Sequence, residues 1–259
     1  MARDPRYDIL FEPVRIGPVT ARNRFYQVPH CNGMGRLYPS SMIAMRGQKA
    51  EGGWSVVCTE QCDIHPSADV ASHCLVRLWD DQDLPILAGM ADAVHAHAAL
   101  AGIELVHNGG GMPNNFSREI PIAPSIDFGF GYHPIQARAM AKSEIAAFRR
   151  WHKDAVRRAK KAGFDVIYVY DGHDTTLQSH FLSRRHNRRT DEYGGSFEDR
   201  LRLLRETLED AKEVAGDTCA IVIRFTVETN QGPDGDGRAV VEALADLPDL
   251  WDVNISDWN

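Results

Sequence analysis

The sequence predicts an α/β fold, a (β/α)8 TIM barrel that stops after about six βα units. Three observations carry this expectation. Apolar runs of strand length alternate with longer amphipathic stretches along the chain, as in parallel strands joined by helical crossovers. Residues able to do chemistry fall at the C-terminal ends of several different strands, where a barrel assembles its site. The phosphate-binding G-x-G-x-x-G turn usual in an open doubly wound sheet follows no strand, and "HNGGGMPN" after the third strand lacks that spacing. A barrel needs eight strands and six are read here, so the chain is expected to be a fragment of a longer polypeptide.

The six strands are placed at Arg24–His30, Ser55–Gln61, Gly102–Asn108, Asp165–Asp171, Ala220–Glu228 and Trp251–Trp258. Helical patterns lie between them at Ser41–Glu51, Leu84–Ala99, Ser143–Ala162, Ser196–Val214 and Arg238–Ala245. Ser196 can cap the fourth helix, with Asp199 three residues on supporting its first turn. Gly163, after the basic "RRAKKA", suits a left-handed helix stop. "GGGMPNN" and "NQGPDGDG" read as loops. "NRRTDEYGGSFEDR" reads as a loop that fixes the next helix, and "FRRWHKDAVRRAKK" as a solvated basic helix face. One domain spanning residues 1–259 is expected.

The chain has 259 residues, 43% hydrophobic and 25% charged, an ordinary globular balance. A formal charge of −7 argues against nucleic acid or an anionic membrane as partner. No apolar run is long enough to span a bilayer, and the start shows no signal-peptide pattern. The five cysteines (Cys31, Cys58, Cys62, Cys74 and Cys219) are odd in number and scattered, which fits a reducing compartment such as the cytoplasm. Cys58 and Cys62 lack a second pair of ligands for zinc and read as buried strand thiols.

Candidate chemistry gathers at the strand ends. His30 and Cys31 end the first strand, Glu60 and Gln61 the second, Glu104 and His107 the third, and Tyr170 and His173 the fourth. Arg224 lies inside the fifth, and Asp257 and Trp258 end the sixth. Cys31 is either a half-buried structural thiol or a nucleophile whose pKa is lowered by neighbouring His30. Tyr170 and His173, three apart across a strand end, can hold and deprotonate a substrate; alternatively the tyrosine is core and the histidine a loop residue. Arg224 in "AIVIRFTV" needs an anionic partner, either an electron-rich cofactor or an internal pair with Glu104 or Glu228.

"NRFYQVPHCNGMG", "KAEGGW", "TEQCDIHP", "RLWDDQDLP", "AGFDVIYVYDGHD", "FLSRRHNRRTDEYGGSFEDR" and "DLWDV" together resemble the N-terminal barrel of the trimethylamine, dimethylamine and histamine dehydrogenases. These belong to the old yellow enzyme class of FMN barrels. The resemblance covers nearly the whole chain. It implies an FMN joined covalently to Cys31 of the "VPHC" motif, which Pro29 and His30 complete, so that the thiol is a tether. It also implies that Glu104 lies by the flavin pyrimidine ring, that Arg224 faces the N1–C2 edge, and that Tyr170 and His173 are the catalytic pair beside the amine. The family's third catalytic member, an aspartate, is expected beyond the sixth strand; Asp257 is not assigned to that role.

Gln61 stands where the trimethylamine enzyme has an aromatic residue, which points away from trimethylamine itself. Trp258 is expected to form a pocket wall. The wording of "HCNGMG", "WDDQDLP" and "HFLSRR" is most similar to histamine dehydrogenase and to demethylases of N-methylated amino acids such as dimethylglycine. The resemblance therefore implies oxidation of a small amine to an imine that hydrolyses to aldehyde and amine. It further implies a homodimer, a [4Fe–4S] cluster and nucleotide-binding region outside these residues, and an external acceptor such as an electron-transfer flavoprotein. The alternatives are an NAD(P)H-dependent ene-reductase on the same barrel, which generally lacks the tether cysteine, and a catalytically incomplete barrel fragment.

Overall fold

The computed structural model describes residues 4–71, 74–128, 135–227 and 236–254. The elements run β1 (Val14–Ile16), β2 (Val19–Ala21), β3 (Tyr26–Gln27), α1 (Pro39–Glu51), β4 (Val56–Asp63), β5 (Val76–Arg77), α2 (Leu84–His95) and β6 (Leu100–Val106). They continue with β7 (Ile122–Ala123), β8 (Asp127–Phe128), β9 (Gln136–Ala139), α3 (Lys142–Lys161), β10 (Val166–Asp171) and α4 (Leu177–Leu182). The last are α5 (Phe197–Ala215), β11 (Ala220–Thr226), α6 (Gly237–Leu244) and β12 (Leu250–Asn254). The main sheet is parallel throughout, in the order β12-β11-β10-β6-β4-β3, with β5 added beside β4.

The two faces of this sheet distinguish a barrel from a doubly wound fold. Side chains alternate along a strand. One set, including Ile103, Leu105, Ile167, Val169, Ile221 and Ile223, joins Leu87, Ile145, Phe148, Leu204 and Leu208 of the helices in one large core. The other set, including Val56, Cys58, Val166, Tyr168, Ala220 and Val222, packs on itself and on Ile16 and Ala21 of the β1–β2 hairpin. A doubly wound sheet has helices over both faces; here the second face is filled by its own side chains and plugged at one end, as inside a barrel.

The strand and helix pattern is close to expectation, with informative departures. The first strand reaches only from Tyr26 to Gln27, because Pro29 has no N–H to continue the ladder; His30 N–H then rejoins at Thr59 O, 3.3 Å. The second helix ends at His95, where the chain turns through Ala98 at φ 52°. The parts of the last two predicted strands at residues 228 and 255–258 lie outside the described residues. The β1–β2 hairpin, β5, α4 and the small sheet of β7, β8 and β9 were not foreseen. Their runs are too short for periodicity to register.

Local signals hold where they rest on backbone chemistry. Ser196 Oγ accepts from Asp199 N–H at 3.2 Å, and Gly163 adopts φ 92° after α3. The basic face of α3 is tied to neighbours: Arg149 meets Asp210 at 2.7 Å, Lys153 meets Glu213 at 2.6 Å, and Arg158 and Lys161 both reach Asp81. Arg189 clips "NRRTDEYGG" to Asp191 and donates to the Pro124 and Met140 carbonyls. Cys58 and Cys62 are buried free thiols.

Candidate functional site

The C-terminal ends of the strands bring a polar layer together above the apolar interior. Backbone register sets Tyr170 beside Arg224, Arg224 beside Asp252, and Gln61 beside Glu104. Arg224 Nη1 donates to Pro29 O at 2.8 Å and to Glu104 Oε2 at 3.3 Å, while its Nε lies 3.7 Å from Asp252 Oδ2. Its guanidinium carbon stands 5.9 Å from the centre of the Tyr170 ring. Burial pushes the Glu104 carboxyl up to about 7, against the pull of Arg224. Burial raises Asp252 as well, again opposed by Arg224.

The internal pair of Arg224 with Glu104 therefore exists, and Asp252 is a second acidic neighbour. Glu228 lies outside the described residues. Asp252 was missed, although it is a charge in a short apolar strand, the same signal that singled out Arg224.

The Cys31 loop is shaped by a β-bulge. Cys58 pairs with Gly102 but Gln61 with Glu104, so β4 carries one extra residue between them. The bulge turns Glu60 toward the loop, where its fully buried carboxylate accepts from the N–H groups of Asn32 (2.9 Å), Gly33 (3.0 Å), Gly35 (3.0 Å) and Val76 (3.2 Å). A Cβ at Gly35 would stand 2.5 Å from Glu60 Oε1, so only glycine permits this approach. Glu60 thus organises the loop's backbone, a role that spacing alone did not suggest.

Cys31 is exposed at the rim, yet the protein packed around its sulfur pushes the thiol up to about 11. The Gln61 backbone N–H opposes this shift, and Glu104, Glu60 and Asp63 add to it. Of the two readings of Cys31, the one in which His30 lowers its pKa has no support in the geometry, since His30 is not among the groups acting on the thiol. The His30 ring instead meets Gln27 Nε2 (3.1 Å), Arg46 Nη1 (3.2 Å) and Lys49 Nζ (3.3 Å), and burial with those cations lowers its own pKa. Arg46, fully buried and also donating to Gln27 Oε1 and His30 O, was another residue the sequence reading passed over.

Tyr170 and His173 do come together: the tyrosine OH and His173 Nδ1 are in direct hydrogen-bond contact. Tyr170 is buried, and burial together with the Glu104 charge pushes its phenol well above the usual range. His173 N–H donates to Thr226 Oγ1 at 2.7 Å. Tyr168, by contrast, is core.

His107 is not part of this mouth. It is fully buried among the outer helices, 5.7 Å from the Phe148 ring, with Nε2 at 2.9 Å from Ser67 Oγ and Nδ1 accepting from Gly109 N–H. Trp258 and Asp257 lie outside the described residues.

The residues fit an acceptor-rich planar ligand. Gln61 Nε2, Asn108 Nδ2 and Asn254 Nδ2 are buried donors at or next to the strand ends without a hydrogen-bond partner, and such groups call for acceptors. The isoalloxazine ring presents several along its pyrimidine edge. Together the site offers a fixed cation, a hydrogen-bonded Tyr–His pair and a rim thiol.

Comparison with known proteins agrees with this architecture. The family model described as "NADH:flavin oxidoreductase / NADH oxidase family" matches residues 9–257. Dimethylamine dehydrogenase of Hyphomicrobium sp. (strain x) is 43% identical over 99% of this chain and 36% of its own length. The structure of 6-hydroxypseudooxynicotine amine oxidase (HisD) from Pseudomonas geniculata N1 superposes with a TM-score of 0.95 at 52% identity, over 99% of this chain and 39% of that one. Histamine dehydrogenase from Rhizobium sp. 4-9 gives 0.92 at 50% identity, over 98% and 38%. Morphinone reductase, at 28% identity and a TM-score of 0.79, shares the fold over 91% of this chain.

The chain thus spans between a third and two-fifths of the three amine-linked relatives' lengths. Among the described residues no helix is long and apolar enough to cross a membrane. With a helix-wrapped parallel sheet, a polar layer at its strand ends and a family match across almost its whole length, the chain belongs to the NADH:flavin oxidoreductase / NADH oxidase family.

Proposed function

We propose that this chain is the FMN-binding barrel domain of an amine dehydrogenase that oxidises a small amine carrying an N–H. The observation that carries this reading is the Tyr170–His173 contact beside Arg224 and Glu104, at the barrel end that also presents Cys31. Cys31 would hold the FMN covalently, and Arg224, Glu104 and the Pro29 carbonyl would frame its ring. FMN, when bound, accepts a hydride equivalent from the C–H next to the amine nitrogen.

The protein's own part is to prepare the amine. Only a neutral nitrogen has the lone pair that pushes out hydride, so a bound ammonium must first lose a proton. It can pass one to the Tyr170 oxygen while the phenol proton moves to His173 Nδ1, leaving the tyrosine neutral. That transfer suits a phenol whose anion burial disfavours. Arg224 would hold the bound ring and offer a permanent positive charge to the negative charge that reduction brings to it. The Gln61 amide can accept from a substrate N–H, which favours primary and secondary amines over trimethylamine. The imine product then hydrolyses to aldehyde and amine.

A [4Fe–4S] cluster outside the barrel, an external flavoprotein acceptor, a homodimer and a cytoplasmic location belong to the same reading. The names of the amine-linked relatives support the substrate class.

The test is a denaturing intact-mass spectrum followed by anaerobic titration with dimethylamine and histamine. One FMN of added mass, lost in C31A, and bleaching of the flavin by either amine are expected. A flavin reduced by NADPH and by neither amine would turn the assignment to ene-reductase chemistry.

A further inference from the structure

The turn that carries His173 holds two side-chain-bearing residues in the left-handed region. Gly172 to Thr175 close a tight turn, with Thr175 N–H donating to Gly172 O at 3.4 Å. Both central residues have positive φ, His173 at 60° and Asp174 at 52°. This is the sign pattern of a type I′ turn, whose centre ordinarily takes Asn, Asp or Gly. Asp174 suits its place, whereas His173 is the unusual member, and a left-handed non-glycine residue other than Asn or Asp is held most firmly where its surroundings fix it.

Those surroundings come from two other strands. Thr226 and Asn254 are directly paired across β11 and β12. Thr226 Oγ1 accepts from His173 N–H at 2.7 Å and donates its own proton to Asn254 Oδ1. A hydroxyl has one proton, so the donation to Asn254 aims its lone pairs at the histidine amide. Gly172 completes the fit: a Cβ there would stand 2.7 Å from the Tyr170 ring, 3.1 Å from Asn254 Nδ2 and 3.3 Å from Thr226 Oγ1. The ends of β11 and β12 thus pack against the turn at Gly172 and hold its next residue by the His173 amide.

We propose that Thr226 is a positioning residue for His173, oriented by Asn254, and that this two-residue relay holds the histidine in the left-handed conformation that puts Nδ1 on the Tyr170 hydroxyl. The relay acts through His173 and does not touch substrate. The inference rests on the amine-site reading of Tyr170 and His173, and its test separates the two.

In the flavin-loaded protein, T226V keeps the side-chain shape and removes the hydroxyl, whereas T226S restores it. Hydrogen exchange of the peptide covering residues 171–176 reads the turn without reference to turnover. T226V is expected to speed that exchange about tenfold or more while FMN content holds. It should lower kcat/KM for the amine by about 10- to 100-fold, the cost of a misplaced catalytic group, and move the pH limb that reports the Tyr–His pair. T226S should return both properties to near wild type.

Unchanged exchange and pH profile in T226V would overturn the relay. If T226V does not fold, N254A decides: faster exchange at the turn supports the relay, and wild-type exchange sinks it. Unaltered amine turnover in H173Q would instead defeat the amine-site reading, whatever T226V does to the turn.

Discussion

Arg224 and Glu104 meet at 3.3 Å across the mouth of the barrel, from strands joined through β10, and both are largely shielded from solvent. Because burial holds Glu104 near 7, the pair is fully ionic only above that pH. Removing Arg224 leaves a buried carboxyl with no cation, so R224Q should cost about 3 kcal/mol of stability at pH 8. The cost should shrink by pH 5, where Glu104 already carries its proton in the wild type. Denaturant unfolding of R224Q, E104Q and the double variant at both pH values checks this; equal penalties at pH 5 and 8 would show that Glu104 is not the titrating partner.

Cys31 is exposed, yet its thiol is held up to about 11. The thiolate is the reactive form, so its population should climb about tenfold per pH unit through the neutral and mildly alkaline range. Iodoacetamide labelling of flavin-free protein, followed at Cys31 by peptide mass, should therefore accelerate from pH 7 to 10 without a plateau. A plateau near pH 8 would mean that a cation reaches the sulfur after all.

Glu60 draws four backbone N–H groups onto two oxygens. In E60Q an NH2 must face two of those donors, losing two charge-assisted bonds worth about 3 kcal/mol together. The Cys31 loop should loosen, and the fraction of protein carrying covalent flavin should fall while Cys31 remains present. Intact mass of E60Q after expression with excess riboflavin reads this directly; full flavinylation would show that the loop needs no anchor.

His152 is buried to 1% exposure with both ring nitrogens unpartnered, and burial lowers its pKa to about 4. Its folded pKa lies below the unfolded value of about 6.5, so the unfolded chain binds the extra proton first as pH falls. Stability is thus lost between pH 6.5 and 4, by on the order of 3 kcal/mol. H152L should match or exceed wild-type stability at pH 7 and flatten the acid limb. Parallel pH-dependent unfolding curves for the two proteins would refute this.

Most of the architecture was legible because it rests on local chemistry. The alternation of apolar runs and amphipathic stretches reports parallel strands and crossovers wherever each run is long enough to show a period. Ser196 and Gly163 act through local backbone geometry and bonds to near neighbours, so their roles can be read in place, whereas Arg189 adds to its local Asp191 pair two carbonyls 49 and 65 residues away. Tyr170 and His173 were recognisable as a pair because strand geometry and a tight turn connect them within three residues. Arg224 was recognisable because a cation in an apolar strand must be compensated.

The tertiary structure decided what depends on strand register and on the direction of single side chains. Neighbouring residues leave the backbone in different directions, so His30 met Arg46 and Lys49 while Cys31 stayed at the rim. The bulge that turns Glu60 into the loop exists only in the pairing of β4 with β6. His107 went outward and Asp252 inward by the same alternation, each settled by which face of its strand meets the helices. The clasp on His173 joins residues 53 positions apart, with Asn254 a further 28 along the chain. Local patterns specify strands and turns, whereas long-range pairing specifies which polar groups share one end of the barrel.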